Sequence, residues 1–167
     1  MTDPTPPIPP LTGPAWGPLK PGPARHLVVL LHGLGADGSD LIDLAPHWAA
    51  AAPHARFVAP NAPFPCDMAP YGRQWYSLQD RSPPVILAGA ERAAPALNAF
   101  IDAELRSLGL TPDRLVLMGF SQGTMMALHR ADGVFCQSQG DVVESIPDLA
   151  YVIPALGSLW PSGRTQT

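Results

Sequence analysis

The chain alternates between short apolar runs and longer stretches in which apolar residues recur at helical spacing. Residues 27–31 (Leu-Val-Val-Leu-Leu) and 115–118 (Leu-Val-Leu-Met) are continuous apolar runs bounded by turn residues. This pattern is typical of strands that are buried on both faces of a parallel sheet. Residues 56–59 (Arg-Phe-Val-Ala) predict a third, shorter strand.

Two further segments have the pattern of amphipathic helices. One is predicted from residue 39 to about residue 52, and the other covers residues 91–108 and stops at Gly109. One face of the second helix carries Ala94, Leu97, Ile101 and Leu105. Strands that alternate with helices predict an α/β fold, with a doubly wound, mostly parallel sheet between two helical layers.

Residues 1–23 form a proline-dense segment with Thr and Gly between the prolines. Proline lacks a backbone N–H, so this segment cannot pair as a central strand or form a helix, and we expect an extended, flexible arm. Pro4-Thr5-Pro6-Pro7 matches the P-x-x-P ligand of SH3-type domains. The alternative is a solvated leader without a partner.

Composition indicates a single globular domain. The 167 residues are 46% hydrophobic and 14% charged, and the net charge of −4 comes without any basic cluster. Nucleic acid and anionic membranes are therefore not expected as partners. No apolar run approaches the ~20 residues that span a bilayer, and the acid-bearing, proline-rich start does not resemble a signal peptide, so we expect a cytosolic protein.

The two cysteines, Cys66 and Cys136, form neither a disulfide pattern nor a metal-binding pattern. We expect both to be reduced thiols, and neither lies in a setting typical of a nucleophile.

The candidate nucleophile is Ser121, in the pentapeptide Gly119-Phe120-Ser121-Gln122-Gly123. An apolar run precedes this Gly-x-Ser-x-Gly sequence and a helix-compatible run follows it, which is the layout of a nucleophile elbow. The two glycines lack Cβ atoms and so leave room for the strained turn. The alternative is an ordinary strand–turn–helix in which Ser121 only caps the helix.

A glycine-rich loop follows the first long strand. Gly33, Gly35 and Gly38 match the G-x-G-x-x-G pattern of dinucleotide-binding folds. That reading also requires an acid at the end of the next strand to hold a ribose, and residues 54–60 contain no Asp or Glu. A glycine-rich loop at this position also suits an oxyanion hole.

A proline-rich irregular loop begins at residue 60 and runs through residues 71–78, which include Trp75. Aromatic side chains on a loop can line a substrate groove, and Trp75 is our candidate substrate contact. Packing of these rings over the core is the alternative.

Four segments together resemble a known family: residues 31–38 (Leu-His-Gly-Leu-Gly-Ala-Asp-Gly), residues 59–63 (Ala-Pro-Asn-Ala-Pro), the Trp75 loop and residues 119–123. Over residues 24–129 the chain is similar to the phospholipase/carboxylesterase family of α/β-hydrolases, which includes the acyl-protein thioesterases. The resemblance implies an α/β-hydrolase fold and a cytosolic serine esterase or thioesterase that needs no metal or cofactor and acts on a small-molecule or acylated substrate. It implies that Ser121 is the nucleophile and that the backbone N–H groups of Leu34 and Gln122 form the oxyanion hole. It gives His32 a role in shaping the glycine loop rather than that of a base.

The resemblance ends after residue 129. The family's triad continues with an aspartate and then a histidine, but His129 is the one histidine after Ser121. It lies about 12 Å along the same predicted helix at ~1.5 Å per residue, too far to act as the base. Candidate acids downstream are Asp132, Asp141 and Asp148.

Residues 130–167 therefore form a divergent tail, in which Tyr151-Val152-Ile153 can pair only as an edge strand because Pro154 follows. We expect a sheet that is incomplete on this side, a tendency to self-associate and weak or absent activity. Three explanations stay open: a truncated or frame-shifted product, a divergent hydrolase that uses an upstream histidine, and a non-catalytic descendant with a binding role.

Overall fold

The computed structural model describes residues 8–135 and 149–152. Its seven strands are β1 (Ala15–Trp16), β2 (His26–Leu31), β3 (Ala55–Val58), β4 (Phe64–Pro65), β5 (Arg73–Gln74), β6 (Leu115–Phe120) and β7 (Leu149–Val152). Five of them form the main sheet in the order β1-β3-β2-β6-β7, and β4 and β5 form a separate antiparallel ribbon. The helices are α1 (Gly38–Ile42), α2 (Ala45–Trp48), α3 (Pro83–Leu108) and α4 (Gln122–Phe135), with a 3₁₀ turn at Pro112–Arg114.

Strand β2 is the centre of the sheet and is fully buried. Because side chains alternate across a strand, its residues divide between two cores. Leu27, Val29 and Leu31 pack with α3 and α4, whereas Val28 and Leu30 pack on the opposite face with α1 and α2. Helices thus cover both faces, and the predicted three-layer α/β architecture is confirmed.

The sheet is mostly parallel at its centre and antiparallel at its edges. Strands β3 and β6 both run parallel to β2, one on each side of it, whereas β1 and β7 pair antiparallel with β3 and β6. After β2, the chain therefore adds β3 on one side of this strand, and it later returns to add β6 on the other side of β2. Such a reversal opens a crevice beyond the carboxyl ends of the two strands, where ligands bind in open α/β sheets.

The long helix predicted over residues 39–52 is two short helices. Asp37 caps α1, because its side chain accepts a 2.7 Å hydrogen bond from the Ser39 N–H and its own N–H donates to Asp40. The helical path then stops at Ile42 and restarts at Ala45, with Pro46 in the first turn of α2. Proline cannot donate to the carbonyl four residues earlier, so it is tolerated only where a helix begins.

Helix α3 begins eight residues before the predicted start at Glu91, because Pro83 and Pro84 suit a first helical turn. Its buried face consists of Ala90, Ala93, Leu97, Ile101 and Leu105, whereas Ala94 is half-buried. The predicted stop is confirmed: Gly109 caps the helix with a φ of 66°, in the left-handed region that glycine favours.

The described part of the proline-dense N-terminal segment, residues 8–23, contains the short strand β1 and bends at residues 19–22, and it is not a free arm. Ala15 and Trp16 pair with β3, Leu11 is buried, and the Asn61 N–H donates to the Thr12 carbonyl. Pairing at the outer edge is compatible with proline, since the other side of an edge strand needs no partner. Pro4-x-x-Pro7 lies outside the described residues.

On the opposite side, the predicted pairing of Tyr151 and Val152 with the elbow strand is confirmed. Strand β7 runs antiparallel to β6, with Tyr151 opposite Met118 and Leu149 opposite Phe120. Ile153, Cys136 and the candidate acids Asp141 and Asp148 lie outside the described residues.

Candidate active site

Ser121 lies on a sharp turn between β6 and α4. Its φ is 50°, the one positive value at a non-glycine position among the described residues. Holding a serine in this region costs about 1–3 kcal/mol, so the surrounding structure must impose it. The serine is exposed beyond the carboxyl end of β6. This is the geometry of a nucleophile elbow.

The two flanking glycines allow this turn because the backbone packs against both of them. A Cβ on Gly119 would collide with the backbone of Gly123, and a Cβ on Gly123 would collide with the carbonyl of Leu31. The Thr124 hydroxyl closes the turn by donating a 2.8 Å hydrogen bond to the Gly119 carbonyl. The elbow therefore fits directly against the end of β2.

Helix α4 begins at Gln122, and the Ser121 carbonyl accepts hydrogen bonds from the N–H groups of Thr124 (2.9 Å) and Met125 (3.4 Å). The first N–H groups of a helix have no acceptor within it, and the helix dipole places partial positive charge at this end. The Gln122 N–H belongs to this first turn. It directly follows Ser121 in the chain, at the amino end of α4.

The glycine-rich loop after β2 approaches the elbow closely. A Cβ on Gly33 would lie 3.2 Å from the Ser121 Cβ and 3.1 Å from the Phe120 ring, so a side chain here would be in tight contact with both residues. Gly35 has a φ of 78°, and its N–H donates a 2.9 Å hydrogen bond to the Arg73 carbonyl. Leu34 lies between these two constrained glycines and is half-buried.

His32 is buried in the wall of this site, and both of its ring nitrogens are occupied. Its Nδ1 donates to the Gly33 carbonyl over 2.7 Å, and its Nε2 accepts from the Ala62 N–H over 3.0 Å. Burial lowers the pKa of His32 below its ordinary value of 6.5 and outweighs the opposing effect of the bond to Gly33. The ring is therefore neutral and has no free nitrogen for a proton from Ser121, and its two hydrogen bonds hold the loop, which is the role that the resemblance implied.

Trp75 does not line a groove. Its side chain is 0% exposed, and its indole N–H donates a 2.9 Å hydrogen bond to the His32 carbonyl. The predicted direct substrate contact is thus corrected, because an indole held inside the core has no face for a substrate. The Trp75 ring packs in the core, which is the alternative that the sequence left open.

Two polar side chains that the sequence pattern did not single out hold the site together. The Gln122 amide bonds to the backbone of Trp75 and Tyr76, and the Arg73 guanidinium donates to the carbonyls of Ala62 and Pro63. A buried glutamine and a half-buried arginine need partners, but the sequence does not say which. The feature of the sequence that could have pointed to the Gln122 side chain is its polarity, because the other residues of such a turn are expected to be apolar or glycine.

All five histidines lie within residues 8–135, and none hydrogen-bonds the Ser121 hydroxyl. His26 and His54 lie at the amino ends of β2 and β3, away from the elbow, and His47 lies on α2. His129 lies on α4, two turns beyond Ser121, as predicted, and Asp132 follows it on the same helix. The alternative in which an upstream histidine acts as the base thus has no hydrogen bond to the Ser121 hydroxyl to support it.

A profile of the phospholipase/carboxylesterase family matches residues 19–140, which is most of the chain. The chain belongs to the phospholipase/carboxylesterase family. Its α/β-hydrolase fold, which the resemblance predicted, is confirmed by this match and by the solved structures that it resembles.

Three solved structures resemble this chain. Esterase PE8 is 46% identical, with a TM-score of 0.67 over 72% of this chain and 56% of PE8. A carboxylesterase from Mesorhizobium loti is 27% identical, with a TM-score of 0.53 over 71% of this chain and 52% of that enzyme. Arabidopsis thaliana SOBER1, at 24% identity and a TM-score of 0.50 over 64% of this chain and 54% of SOBER1, shares the fold. The chain spans a little over half the length of each.

Within the described part of the chain, no helix is long and apolar enough to cross a membrane. Over the same residues, His, Cys, Asp and Glu side chains do not gather into a group that could hold a metal ion.

Proposed function

We propose that this protein contains the catalytic serine of a serine hydrolase that cleaves carboxylic esters or thioesters, and that this nucleophile is Ser121. The observation that carries the proposal is the left-handed backbone of Ser121, imposed at the carboxyl end of the sheet where α4 begins. A strained, exposed serine at such a position is what acyl transfer requires. The 46% identity to an esterase supports the same chemistry.

In the proposed reaction, the Ser121 oxygen attacks the acyl carbonyl and its proton passes to a base. The carbonyl oxygen becomes an oxyanion that the backbone N–H groups of Leu34 and Gln122 stabilise. When the tetrahedral intermediate collapses, the alcohol or thiol leaves with a proton, and the acyl group remains on Ser121. Water then releases the carboxylic acid and restores the hydroxyl.

We expect slow turnover, because no histidine of this chain takes the position of the base. A general base contributes about 10²–10⁴-fold to such a step, and a serine hydroxyl without one is a poor nucleophile near neutral pH. The elbow and the donor groups still favour attack at Ser121 over any other serine. Added imidazole should raise the rate of ester cleavage in proportion to its concentration, because it supplies the absent proton acceptor.

The test is covalent labelling with a fluorophosphonate, followed by peptide mapping. Label is expected on Ser121 and is expected to disappear in Ser121→Ala. Ser39→Ala is the matched control, since Ser39 is also an exposed serine at the amino end of a helix. Label on Ser39, or equal labelling of wild type and Ser121→Ala, would remove Ser121 from the proposed role.

A further inference from the structure

The side chain of Gln122 makes two hydrogen bonds from a fully enclosed position, 1% exposed. Its Oε1 accepts from the Trp75 N–H, and its Nε2 donates to the Tyr76 carbonyl, each over 2.8 Å. Both ends of the amide are thus used, which determines its orientation and its rotamer. The first residue of α4 is attached to a segment 47 positions earlier in the chain.

The same segment is attached to the glycine loop at three points. The Trp75 indole N–H donates to the His32 carbonyl (2.9 Å), the Arg73 carbonyl accepts from the Gly35 N–H (2.9 Å), and the Arg73 N–H donates to the Ala36 carbonyl (2.9 Å). These contacts lie on both sides of Leu34. The Arg73 guanidinium in turn donates to the carbonyls of Ala62 and Pro63, which holds the segment in place.

We propose that Arg73, Trp75 and the Gln122 side chain form a positioning relay, which sets the distance between the Gln122 N–H and the Leu34 N–H. This inference rests on the proposed function, because those two groups are the proposed oxyanion donors. The relay consists of Arg73, Trp75 and Gln122, and none of these side chains touches the reacting atoms. It joins the elbow and the glycine loop, which are far apart in sequence, through one buried chain of hydrogen bonds.

The relay matters for chemistry because oxyanion donors act through preorganisation. They stabilise the transition state only if they already point to where charge develops, and displacement by about 1 Å can cost on the order of 100-fold in rate. A glutamine that only satisfied buried backbone groups would affect folding stability alone. A relay also affects the covalent step without affecting the binding that precedes it.

The first test uses Gln122→Met, which keeps the length of the side chain and removes both hydrogen bonds. Gln74→Met is the matched control, because Gln74 is also a buried glutamine, but its Oε1 accepts from the Asp67 N–H and its side chain has no hydrogen bond to α4 among the described residues. For fluorophosphonate labelling of Ser121, we expect the maximal rate of inactivation to fall about tenfold in Gln122→Met while the inhibitor concentration for half-maximal rate stays within about twofold. Gln74→Met should change neither value by more than about twofold.

Gln122→Glu adds a pH-dependent readout. A carboxylate at this position can accept from the Trp75 N–H but cannot donate to the Tyr76 carbonyl, whereas the protonated acid can do both. Burial raises the pKa of a carboxyl group, so the labelling rate relative to wild type should recover as the pH falls. The relay would be overturned, even if Ser121 is labelled normally, by two results together. The ratio of the labelling rates of Gln122→Glu and wild type would not change with pH, and the maximal labelling rates of Gln122→Met and Trp75→Phe would equal that of the wild type.

Hydrogen exchange separates failure of the relay from failure of the proposed function. If wild-type Ser121 takes no label, the proposed function fails and the relay is judged by the amide of Gly35 alone. Trp75→Phe, which fills most of the same volume but lacks the indole N–H, should then speed exchange of this amide about tenfold, and Gln74→Met should leave it unchanged. Unchanged exchange in Trp75→Phe would overturn the relay.

Discussion

The two ends of the central sheet carry the same kinds of residue but hold them differently. At the carboxyl end, His32 uses both ring nitrogens, Arg73 donates to two carbonyls, and Gly123 is in contact with the end of β2. At the amino end, the Nε2 of His26 is buried with no hydrogen-bond partner among the described residues, and Arg56 donates to the single carbonyl of Gly17. A Cβ on Gly109, at that same end, would meet nothing within 4 Å.

The difference indicates where this fold needs a determined geometry. An elbow in a left-handed conformation persists only if its surroundings impose it, and the hydrogen bonds at the carboxyl end supply that constraint. The amino end carries no strained serine and can leave a buried polar atom unpaired. Matched substitutions at the two ends should therefore have unequal effects on stability.

Replacement of the glycines should give the largest contrast. In Gly123→Ala, the new Cβ would overlap the Leu31 carbonyl and lie 2.7 Å from the His32 oxygen, so the elbow must move away from β2. We expect a loss of at least about 4 kcal/mol in the free energy of unfolding. Gly109→Ala meets no atoms but places a side chain at a φ of 66°, which costs about 1–2 kcal/mol. Urea unfolding followed by circular dichroism measures both, and equal losses would refute the contrast.

The next largest effect is expected for His32→Leu. Leucine fills a similar volume but leaves the Ala62 N–H and the Gly33 carbonyl without their ring partners in the core. Unsatisfied buried groups cost about 1–3 kcal/mol each, so we expect a loss of about 3 kcal/mol. The measurement is the urea midpoint at pH 8, where the ring of the wild type is neutral. A loss below 1 kcal/mol, on the order of one ordinary hydrogen bond, would show that these bonds do not hold the loop.

The arginines should show a smaller contrast in the same direction. Arg73→Lys keeps the charge but loses the planar fork, so that one of the carbonyls of Ala62 and Pro63 is left without a donor, at a cost of about 2 kcal/mol. Arg56→Lys can still satisfy the one carbonyl of Gly17, at a cost of about 1 kcal/mol or less. The midpoints of thermal unfolding test the order, and a greater loss for Arg56→Lys would reverse it.

Local features of the fold could be predicted from the sequence. Strands β2 and β6, the elbow at Ser121 and the helix stop at Gly109 depend on apolar runs and on glycines, which act within a few residues. The divided helix was also readable in principle, because Pro46 cannot donate to the Ile42 carbonyl in a continuous helix.

Contacts between distant segments could not be predicted. The hydrogen bonds from Gln122 to Trp75 and from Trp75 to His32 join residues 47 and 43 positions apart, and no local pattern encodes them. The same limit explains Trp75 itself. An aromatic residue in a proline-rich loop fits either a groove or a core, and only the position of the His32 carbonyl decides between them. Pairing of Ala15 and Trp16 with β3 likewise depends on an edge that the sequence alone does not locate.

The smallest effect, and the most specific one, is expected for His26→Leu. Burial lowers the pKa of His26 below 6.5, with Arg114 acting in the same direction. The unfolded chain thus binds a proton at His26 more readily than the folded chain does. The contribution of His26 to the free energy of unfolding is therefore fully present above pH 6.5. It is lost as the pH falls towards the pKa of the folded state, by up to about 1.4 kcal/mol per pH unit for each such histidine. Because leucine removes both this proton and the unpaired Nε2, we expect His26→Leu to match the wild type within about 1 kcal/mol at pH 8 and to exceed it at pH 5.5. His32→Leu should stay below the wild type at pH 8, and a comparable loss there for His26→Leu would mean that the two ends of the sheet are held alike.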